Sequence, residues 1–442
     1  MQAVILFAAL CALLVVGKAV RVGVPLLQRL YLPSSIIGGL IGLAIIAGLG
    51  PFVPADILNQ YVGAVRKVPG FLINVVFATL FLGLEAPRLK TVLRLAFPQL
   101  CIGQLLAWGQ YAVGLGLSGF VFVRLFDVPA AFGNLLEIGF EGGHGTVGGM
   151  AESFDEFGWS DGIALGYTMA TAGMVIGIVL GMAMIQWAYR HGHVTEVVSF
   201  EDRKPNERLG IHPPDNRPSA GRQTVICDSI DSLAWHVSLT GVAILIGYGI
   251  RLLIPMKGFP LFPLCMIGGV LLSCGARLLK LDLLVDRGQM ERVSGAALDF
   301  LVVSAVATIQ LKVVAANWRP LALLVVAGTI WSAWIVMCVA PKIFRDAWFE
   351  RAIAEFGQAT GVTATGLMLL RTVDPENRTS AAMSFGYKQL LHEPFMGGGI
   401  WTALAFTLVY KIGWLKVWLI SVAMLVLWGV ASLLVVRANR RA

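Results

Sequence analysis

The chain consists of long apolar runs separated by short polar breaks. A helix that crosses a bilayer needs roughly 20 mostly apolar residues, and this pattern predicts eleven candidate spans. Their approximate positions are 2–17, 34–50, 70–86, 97–123, 162–187, 232–254, 260–279, 294–311, 320–340, 381–411 and 414–436. The predicted fold class is therefore an all-α polytopic membrane protein.

Two further stretches, about 129–160 and 352–379, are partly apolar but are interrupted by Gly, Thr and acidic residues. Irregular backbone at membrane depth is tolerated only where it is buried in protein or lines a cavity. We interpret both stretches as re-entrant hairpins, which return to the side of the membrane from which they enter.

Composition excludes the soluble classes of protein. Of 442 residues, 57% are hydrophobic and 14% are charged, whereas about 25% of a typical soluble domain is charged. The mean hydropathy is +0.77. Disordered chains are poor in apolar residues, and a compact soluble enzyme of this size has too little interior to bury so many.

The basic residues predict the orientation in the membrane. The 34 Lys and Arg residues give a net charge of +8, but they are scattered singly, so nucleic acid is not an expected partner. With the N-terminus outside and eleven crossings, 24 of them fall on the inner side, nine on the outer side, and Lys388 within a span. Because basic loops resist translocation, we expect an outside N-terminus and a cytoplasmic C-terminus.

One long polar segment, 188–228, divides the chain and is rich in Pro, Asn and charge. We interpret it as a cytoplasmic linker between two halves. The predicted organisation is a first repeat over 1–187, a second over 229–412, and an additional span with a basic tail over 413–442.

The two halves share motifs in the same order. Segments 33–39 and 263–269 each begin with Pro and end with Gly-Gly, at an offset of 230 positions. The hairpin motifs that begin at Phe140 and Phe356 follow in the same order. Five spans in the first half invert the second copy, so we predict two inverted five-helix repeats, as in many secondary transporters. The two hairpins then enter from opposite sides and meet tip to tip.

The first hairpin carries the motif FEGGHGTVGGM, from Phe140 to Met150. Glycine allows a sharp turn and a close approach of ligand to the backbone, and polar residues inside a membrane are functional candidates by default. The alternative is a tightly packed loop. The candidate substrate-binding residues are Gly142, Gly143, His144, Gly145 and Thr146.

The second hairpin carries FGQATGVTATGLM, from Phe356 to Met368. Its neutral oxygens suit a hard cation such as Na⁺, by extension from other hard cations. The alternative is that the threonines satisfy local backbone groups in a bent helix. The candidate cation-binding residues here are Gln358, Thr360 and Gly361, and the candidate substrate-binding residues are Thr363 and Thr365.

Several charged residues lie in or at the ends of spans. Lys388 is a candidate partner for an anionic substrate, with an internal ion pair to Glu393 or Asp299 as the alternative. Asp299 is a candidate cation-binding residue, and His392 shares a helix face with Lys388. Glu85 ends the third predicted span.

The sequence contains no Walker loop, HExxH motif or nucleophile elbow, which argues against an ATP-driven pump and against an enzyme. A membrane-embedded enzyme that uses His144 with Glu141 is the remaining enzymatic alternative, but it lacks a nucleophile or metal ligands. We predict no organic cofactor and no resident metal.

The motif GGHGT at 142–146, between an inverted first half and a second half with a Gly/Thr-rich hairpin, resembles the bacterial glutamate:sodium symporter family (ESS family). PSSIIGG at 33–39 is also similar, and the resemblance covers roughly residues 1–412. Three features differ from it: threonines in the second hairpin, an eleventh span, and ionisable residues at Glu85, Asp299 and Lys388.

The resemblance implies sodium-coupled uptake of glutamate across the bacterial plasma membrane by a homodimer with an elevator-like transport domain. The expected partners are a small anionic substrate such as glutamate, Na⁺ as the coupling ion, and the lipid bilayer. Two alternatives stay open: a cation:proton antiporter that uses Asp299, and a proton-coupled transporter of another organic anion.

Overall fold

The computed structural model describes residues 2–49, 52–84, 89–194, 205–213, 215, 217–254, 259–375 and 378–441. Glu85 and residues 195–204 of the predicted linker lie outside the described residues. Within the described residues all regular structure is helical, and no strand occurs. The predicted all-α class is therefore confirmed.

The described residues of the predicted first half form ten helices. They are α1 (Gln2–Gly23), α2 (Pro25–Arg29), α3 (Ser34–Leu49), α4 (Ala55–Thr79), α5 (Leu89–Leu117), α6 (Val123–Leu125), α7 (Leu135–Phe140), α8 (Gly143–Gly149), α9 (Ala151–Glu156) and α10 (Asp161–Arg190). A π-helical turn, Ser118–Phe122, joins α5 to α6, and a 3₁₀ turn, Ala130–Asn134, precedes α7.

The described part of the remaining chain forms eleven further helices. They are α11 (Pro205–Leu209), α12 (Ser232–Leu253), α13 (Phe262–Leu278), α14 (Arg287–Ala307), α15 (Leu311–Ala316), α16 (Trp318–Trp334), α17 (Ala340–Ile343), α18 (Trp348–Val373), α19 (Ala381–His392), α20 (Ile400–Ile412) and α21 (Trp414–Arg441). A 3₁₀ turn, Asp282–Leu284, lies before α14, and a π-helical turn, Ile335–Val339, joins α16 to α17.

Among the described residues, seven helical segments are long and apolar enough to cross a membrane. They are Ala3–Gly23, Asp56–Thr79, Leu95–Leu125, Asp161–Arg190, Ser232–Leu253, Trp318–Ile343 and Trp414–Ala438. Shorter apolar helices accompany them, at Ser34–Gly48, Ala130–Phe140, Phe262–Leu278 and Ile400–Ile412. This pattern is that of a polytopic membrane protein.

Two predicted spans differ from the helices that form. The span expected at 70–86 begins instead at Ala55 and ends at Thr79, because Pro69 is accommodated inside α4. The span expected at 381–411 is two helices, α19 and α20. Pro394 lacks an N–H donor, and Gly397 and Gly398 have positive φ angles of 64° and 106°, so the chain leaves the helix between them.

The chain forms two compact units, and each unit contains residues from both predicted halves. The first unit contains the described residues within Met1–Ala86, Gly148–Ser160 and Lys204–Ile309. The second contains those within Pro87–Val147, Asp161–Arg203 and Gln310–Ala442.

In the first unit the two Gly-Gly motifs make equivalent contacts. A Cβ atom built on Gly38 would lie 2.4 Å from Leu13 O on α1, and one on Gly268 would lie 2.1 Å from Ala243 O on α12. Leu13 and Ala243 are themselves 230 positions apart, as Gly38 and Gly268 are. Helix α3 also packs on α14, and α13 packs on α4. These paired contacts are those expected of two copies of one motif.

In the second unit α18 is a helical hairpin rather than a straight helix. Gly361 and Val362 have non-helical angles, and Val362 has a positive φ of 62°. The two arms pack on each other, since a Cβ on Gly357 would lie 2.7 Å from Gly366 Cα. Helix α10 covers the hairpin, with Gly173 close to Thr360 O and Gly181 close to Leu369.

Candidate functional site

The tips of the two predicted hairpins touch within the second unit. Gly143 follows α7 with a φ of 69°, and a Cβ built on it would lie 2.4 Å from Val362 Cγ1. Val362 is the residue at which α18 breaks. A β-branched residue with positive φ is strained, and such strain concentrates at functional sites. The two breaks leave helix ends whose backbone N–H and C=O groups lack intrahelical partners.

A buried ion pair lies beside the second hairpin. Lys388 Nζ on α19 is 2.9 Å from Glu355 Oε2 on the first arm of α18, and the two side chains are 0% and 1% exposed. The ammonium also donates to Gln358 Oε1 at 2.7 Å and to Gln389 Oε1 at 3.0 Å. All three N–H groups of the ammonium are therefore used inside the protein.

A second acid–base contact joins α19 to the first hairpin. His392 Nε2 contacts Glu141 Oε1, and His392 Nδ1 lies 3.1 Å from Gln104 Nε2. Trp108 Nε1, which can only donate, bonds to Gln104 Oε1 at 2.8 Å. This fixes the amide so that Gln104 Nε2 donates to His392 Nδ1. His392 is therefore neutral, with its proton on Nε2 facing Glu141.

Glu141 has one free oxygen. Its Oε1 accepts from His392 and, at 3.4 Å, from Gln358 Nε2. Its Oε2 is buried and has no hydrogen-bond partner. Because an unpaired buried carboxylate oxygen is costly, this atom marks a place that a donor or a cation would stabilise.

Glu137, one helical turn before Glu141, is satisfied by neutral donors. Tyr111 Oη donates to Glu137 Oε2 at 2.6 Å. Thr402 Oγ1, at 2.8 Å, and the Gly397 backbone N–H, at 2.9 Å, donate to Glu137 Oε1. The break between α19 and α20 therefore serves to present a backbone N–H to this carboxylate.

A smaller hydrogen-bond network lies at the tip of the second hairpin. Thr363 Oγ1 donates to Glu393 Oε1 at 2.8 Å. Gln389 Nε2 donates both to Glu393 Oε1 at 2.7 Å and to Thr363 Oγ1 at 2.6 Å. The second arm of α18 is thereby attached to the end of α19.

The geometry is thus a pair of helix breaks that meet beside a buried set of carboxylates, amides and one ammonium. The sequence model of a family described as sodium/glutamate symporter matches residues 1–373 of the chain. The chain belongs to this family. A comparison with curated proteins finds no match.

Membership in the sodium/glutamate symporter family makes the chain a transporter, which is not an enzyme class, and supports sodium-coupled symport. The match ends at residue 373, short of the predicted 412. Helices α19 to α21, with Lys388 and His392, follow the matched region.

The predicted first-hairpin residues lie at or just after the tip of the first hairpin. His144 Nε2 bonds to Thr171 Oγ1 at 2.9 Å, and its ring stacks on Tyr167 at 6.2 Å. Thr146 Oγ1 donates to Gly142 O at 2.9 Å, which is a bond to the local backbone. Gly145 is buried within α8.

The predicted second-hairpin residues are divided between the two arms. Gln358 and Thr360 lie on the first arm, Gly361 at the break, and Thr363 and Thr365 on the second. Thr360 Oγ1 donates to Phe356 O at 2.7 Å, again a local backbone bond. The Gln358 amide oxygen is occupied by Lys388.

Two charged residues differ from expectation. Lys388 pairs with Glu355, not with Glu393 or Asp299, and it has no free donor for an anionic cargo. Asp299 lies on α14 in the first unit, whereas the other candidate residues lie in the second unit. The enzymatic alternative also loses its pair, since His144 bonds to Thr171 and Glu141 to His392.

Sequence reasoning missed Glu137, Glu355, Gln99 and Gln104. A usable signal existed for some of them. Glu137 and Glu141 are four residues apart in an apolar arm, so they share a face, and α5 carries several Gln residues in an otherwise apolar run. Glu355 gave no comparable signal, because its partner lies on a separate helix.

Proposed function

We propose that this protein is a secondary active transporter that carries glutamate or a related amino acid with sodium across the plasma membrane. The observation that carries the proposal is the contact between Gly143 and Val362. It brings two broken helices together next to buried polar side chains, and discontinuous helices of this kind bind substrate and ion in many transporters.

The two breaks offer different chemistry to the two cargoes. Helix N-termini carry partial positive charge and free N–H groups, which favour a carboxylate. The N-termini of α8 and of the second arm of α18 begin at the touching tips. We assign the carboxylates of the substrate to these N-termini, with Gly142, Gly143, Thr363 and Thr365 around them.

Backbone carbonyls at the end of the first arm favour the sodium ion. The break at Gly361 ends the intrahelical bonding of the preceding carbonyls. One of these, Ala359 O, is already bonded to Gln110 Nε2 at 2.6 Å. We therefore place the ion at the neighbouring carbonyls of Thr360 and Gly361, and we leave Asp299 out of this site.

Glu141 supports an amino acid rather than a simple carboxylate as the cargo. Its Oε2 is buried and unpartnered, and it lies on the residue that precedes the first tip. An α-ammonium group is a donor that such an oxygen would accept. The proposal assigns the substrate ammonium to this oxygen.

The test is uptake of radiolabelled L-glutamate into proteoliposomes with and without an inward sodium gradient. We expect accumulation that needs the gradient and that Thr363→Val or His144→Ala lowers. Gly275→Ala, at a position on α13 with no atom within 4 Å of the added Cβ, is the control for handling losses. Folded protein without sodium-driven accumulation would contradict the proposal.

Competition distinguishes the two substrate classes. Unlabelled glutarate has the carboxylates of glutamate but no ammonium, so it should compete poorly against the wild type. Glu141→Gln should reduce the preference for glutamate over glutarate. Equal competition in the wild type would favour a transporter of organic anions, and replacing the sodium gradient by a pH gradient would then test proton coupling.

A further inference from the structure

Three oxygens surround the Lys388 ammonium, and each is oriented by a contact that does not involve Lys388. Glu355 Oε1 accepts from Gln99 Nε2 at 2.9 Å, and Gln99 Oε1 in turn accepts from Arg351 Nε at 3.0 Å. This arrangement directs the other oxygen, Glu355 Oε2, toward Lys388 Nζ.

The two amides are oriented in the same way. Gln358 Nε2 donates to Glu141 Oε1, so its oxygen faces Lys388. Gln389 Nε2 donates to Thr363 and Glu393, so its oxygen also faces Lys388. One carboxylate and two amide oxygens therefore converge on one point, and oxygen sets of this kind bind hard metal cations.

Helix α5 leaves space for a cation at this point. A Cβ atom built on Gly103 would lie 2.3 Å from Lys388 Cε, 2.8 Å from Nζ and 3.1 Å from Glu355 Oε2. Any larger residue at position 103 would therefore displace the ammonium from the three oxygens.

We propose that the Lys388 ammonium is a built-in cation that occupies a monovalent metal site formed by Glu355, Gln358 and Gln389. The site binds no sodium in the wild type because it is already filled. Shortening Lys388 leaves a buried carboxylate and two oriented oxygens without a cation, so the shortened variant should take up Na⁺ from solution.

The proposal does not depend on the proposed transport function, since binding is measured on purified protein without any cargo. We would count bound ²²Na⁺ per chain in wild type and Lys388→Ala, and follow thermal unfolding of both in NaCl and in N-methylglucamine chloride. The expected result is one additional sodium ion per chain in Lys388→Ala. Its unfolding temperature should also rise with sodium to a plateau, and by more than that of the wild type.

The matched control is the double variant Lys388→Ala/Glu355→Gln, which lacks the carboxylate and should lose both the additional ion and the additional stabilisation. A folded Lys388→Ala protein that binds no more sodium than the wild type overturns the proposal. So does additional sodium that persists in the double variant.

A second pair of variants covers the case in which Lys388→Ala does not fold. Lys388→Met fills more of the volume of the lysine side chain than Lys388→Ala does, and it leaves Glu355 unpaired. The double variant Lys388→Met/Glu355→Gln removes the buried charge as well. If the site accepts sodium, Lys388→Met should fold better in NaCl than in N-methylglucamine chloride. If Lys388→Met unfolds equally in both salts while the double variant folds in both, the proposal is wrong.

Discussion

Two constraints, a backbone angle and a close contact, restrict position 143 at the tip of the first hairpin to glycine. Its φ of 69° strains any residue with a Cβ, at a cost of roughly 1–2 kcal/mol. The Cβ would also contact Val362 Cγ1 at 2.4 Å. The position therefore limits both the backbone and the distance between the tips.

We expect Gly143→Ala to lower sodium-driven uptake strongly and to reduce thermal stability by more than Gly158→Ala. Gly158 has a similar φ of 72° but no atom within 4 Å of the added Cβ, so it measures the backbone strain alone. Adding Val362→Ala to Gly143→Ala removes the clashing Cγ1 and should recover part of the stability. Equal losses in the two alanine variants would show that the contact between the tips contributes nothing.

Two buried tyrosines provide a second comparison at the residue scale. Tyr111 donates to Glu137, whereas the Tyr167 hydroxyl is buried without a partner. A hydrogen bond to a carboxylate contributes about 1.5–3 kcal/mol. Tyr111→Phe should therefore lower the unfolding temperature in detergent, while Tyr167→Phe, which keeps the ring that stacks on His144, should leave it nearly unchanged. The reverse order would contradict the assigned role of Glu137.

At the scale of helices, the Gly-Gly motifs predict paired effects in the two halves. Gly38→Val and Gly268→Val each place a side chain against a backbone carbonyl, at 2.4 and 2.1 Å from the Cβ. Overpacking of this kind costs typically about 1–3 kcal/mol. Both variants should lose thermal stability to a similar degree. Gly275→Ala on α13, where no atom lies within 4 Å of the added Cβ, should cause no loss of thermal stability. A Gly268→Val variant that keeps its thermal stability would count against the internal repeat.

Asp286 predicts an effect of pH on the start of α14. Its Oδ1 accepts from the backbone N–H groups of Gln289 and Arg222. Burial alone raises the pKa of this carboxyl, but these hydrogen bonds outweigh it and hold the pKa below its usual value of 3.8. A lowered pKa means that the stabilisation is present at neutral pH and is lost as pH falls below that value.

Asp286→Ala should lower the unfolding temperature at pH 7, because losing an N-cap costs about 1 kcal/mol. Asp286→Asn keeps a capping oxygen and should lose less. Thermal unfolding at several pH values should show the wild type approaching Asp286→Asn as the carboxyl becomes protonated. An advantage of the wild type that is independent of pH would contradict a role for the charge.

The helices show why some elements were predictable and others were not. Apolar runs located α1, α10 and α21 because a helix that crosses the hydrocarbon core needs a long continuous stretch of apolar residues. Pro394 and the glycines that follow it signalled the division of 381–411 in the sequence, but the bond from the Gly397 N–H to Glu137 depends on packing within the second unit. The Gly-rich tips were visible in the sequence, but the pairing of Lys388 with Glu355 required the packing of α19 on α18.

At the scale of the whole molecule, the buried charged groups of the second unit differ in whether they have a partner of opposite charge. Lys388 and Glu355 neutralise each other, whereas Glu137 and Glu141 have only neutral partners. A buried carboxylate without a cation is costly, so under the proposed function the cargo ammonium, bound at Glu141 Oε2, would stabilise the loaded state.

Asp299→Asn separates a sodium symporter from a cation:proton antiporter. Asp299 lies on α14 in the first unit, whereas the tips and the buried polar network belong to the second unit. The variant should therefore keep sodium-driven glutamate accumulation in proteoliposomes, with Thr363→Val as the impaired comparison. An antiporter that exchanges ions at Asp299 would instead lose sodium-driven proton movement, which a pH-sensitive dye inside the same vesicles records. A wild type that moves protons against sodium without accumulating glutamate, and an Asp299→Asn variant that no longer moves protons, would contradict the symporter, because the ion that moves would then be bound outside the unit that holds the tips.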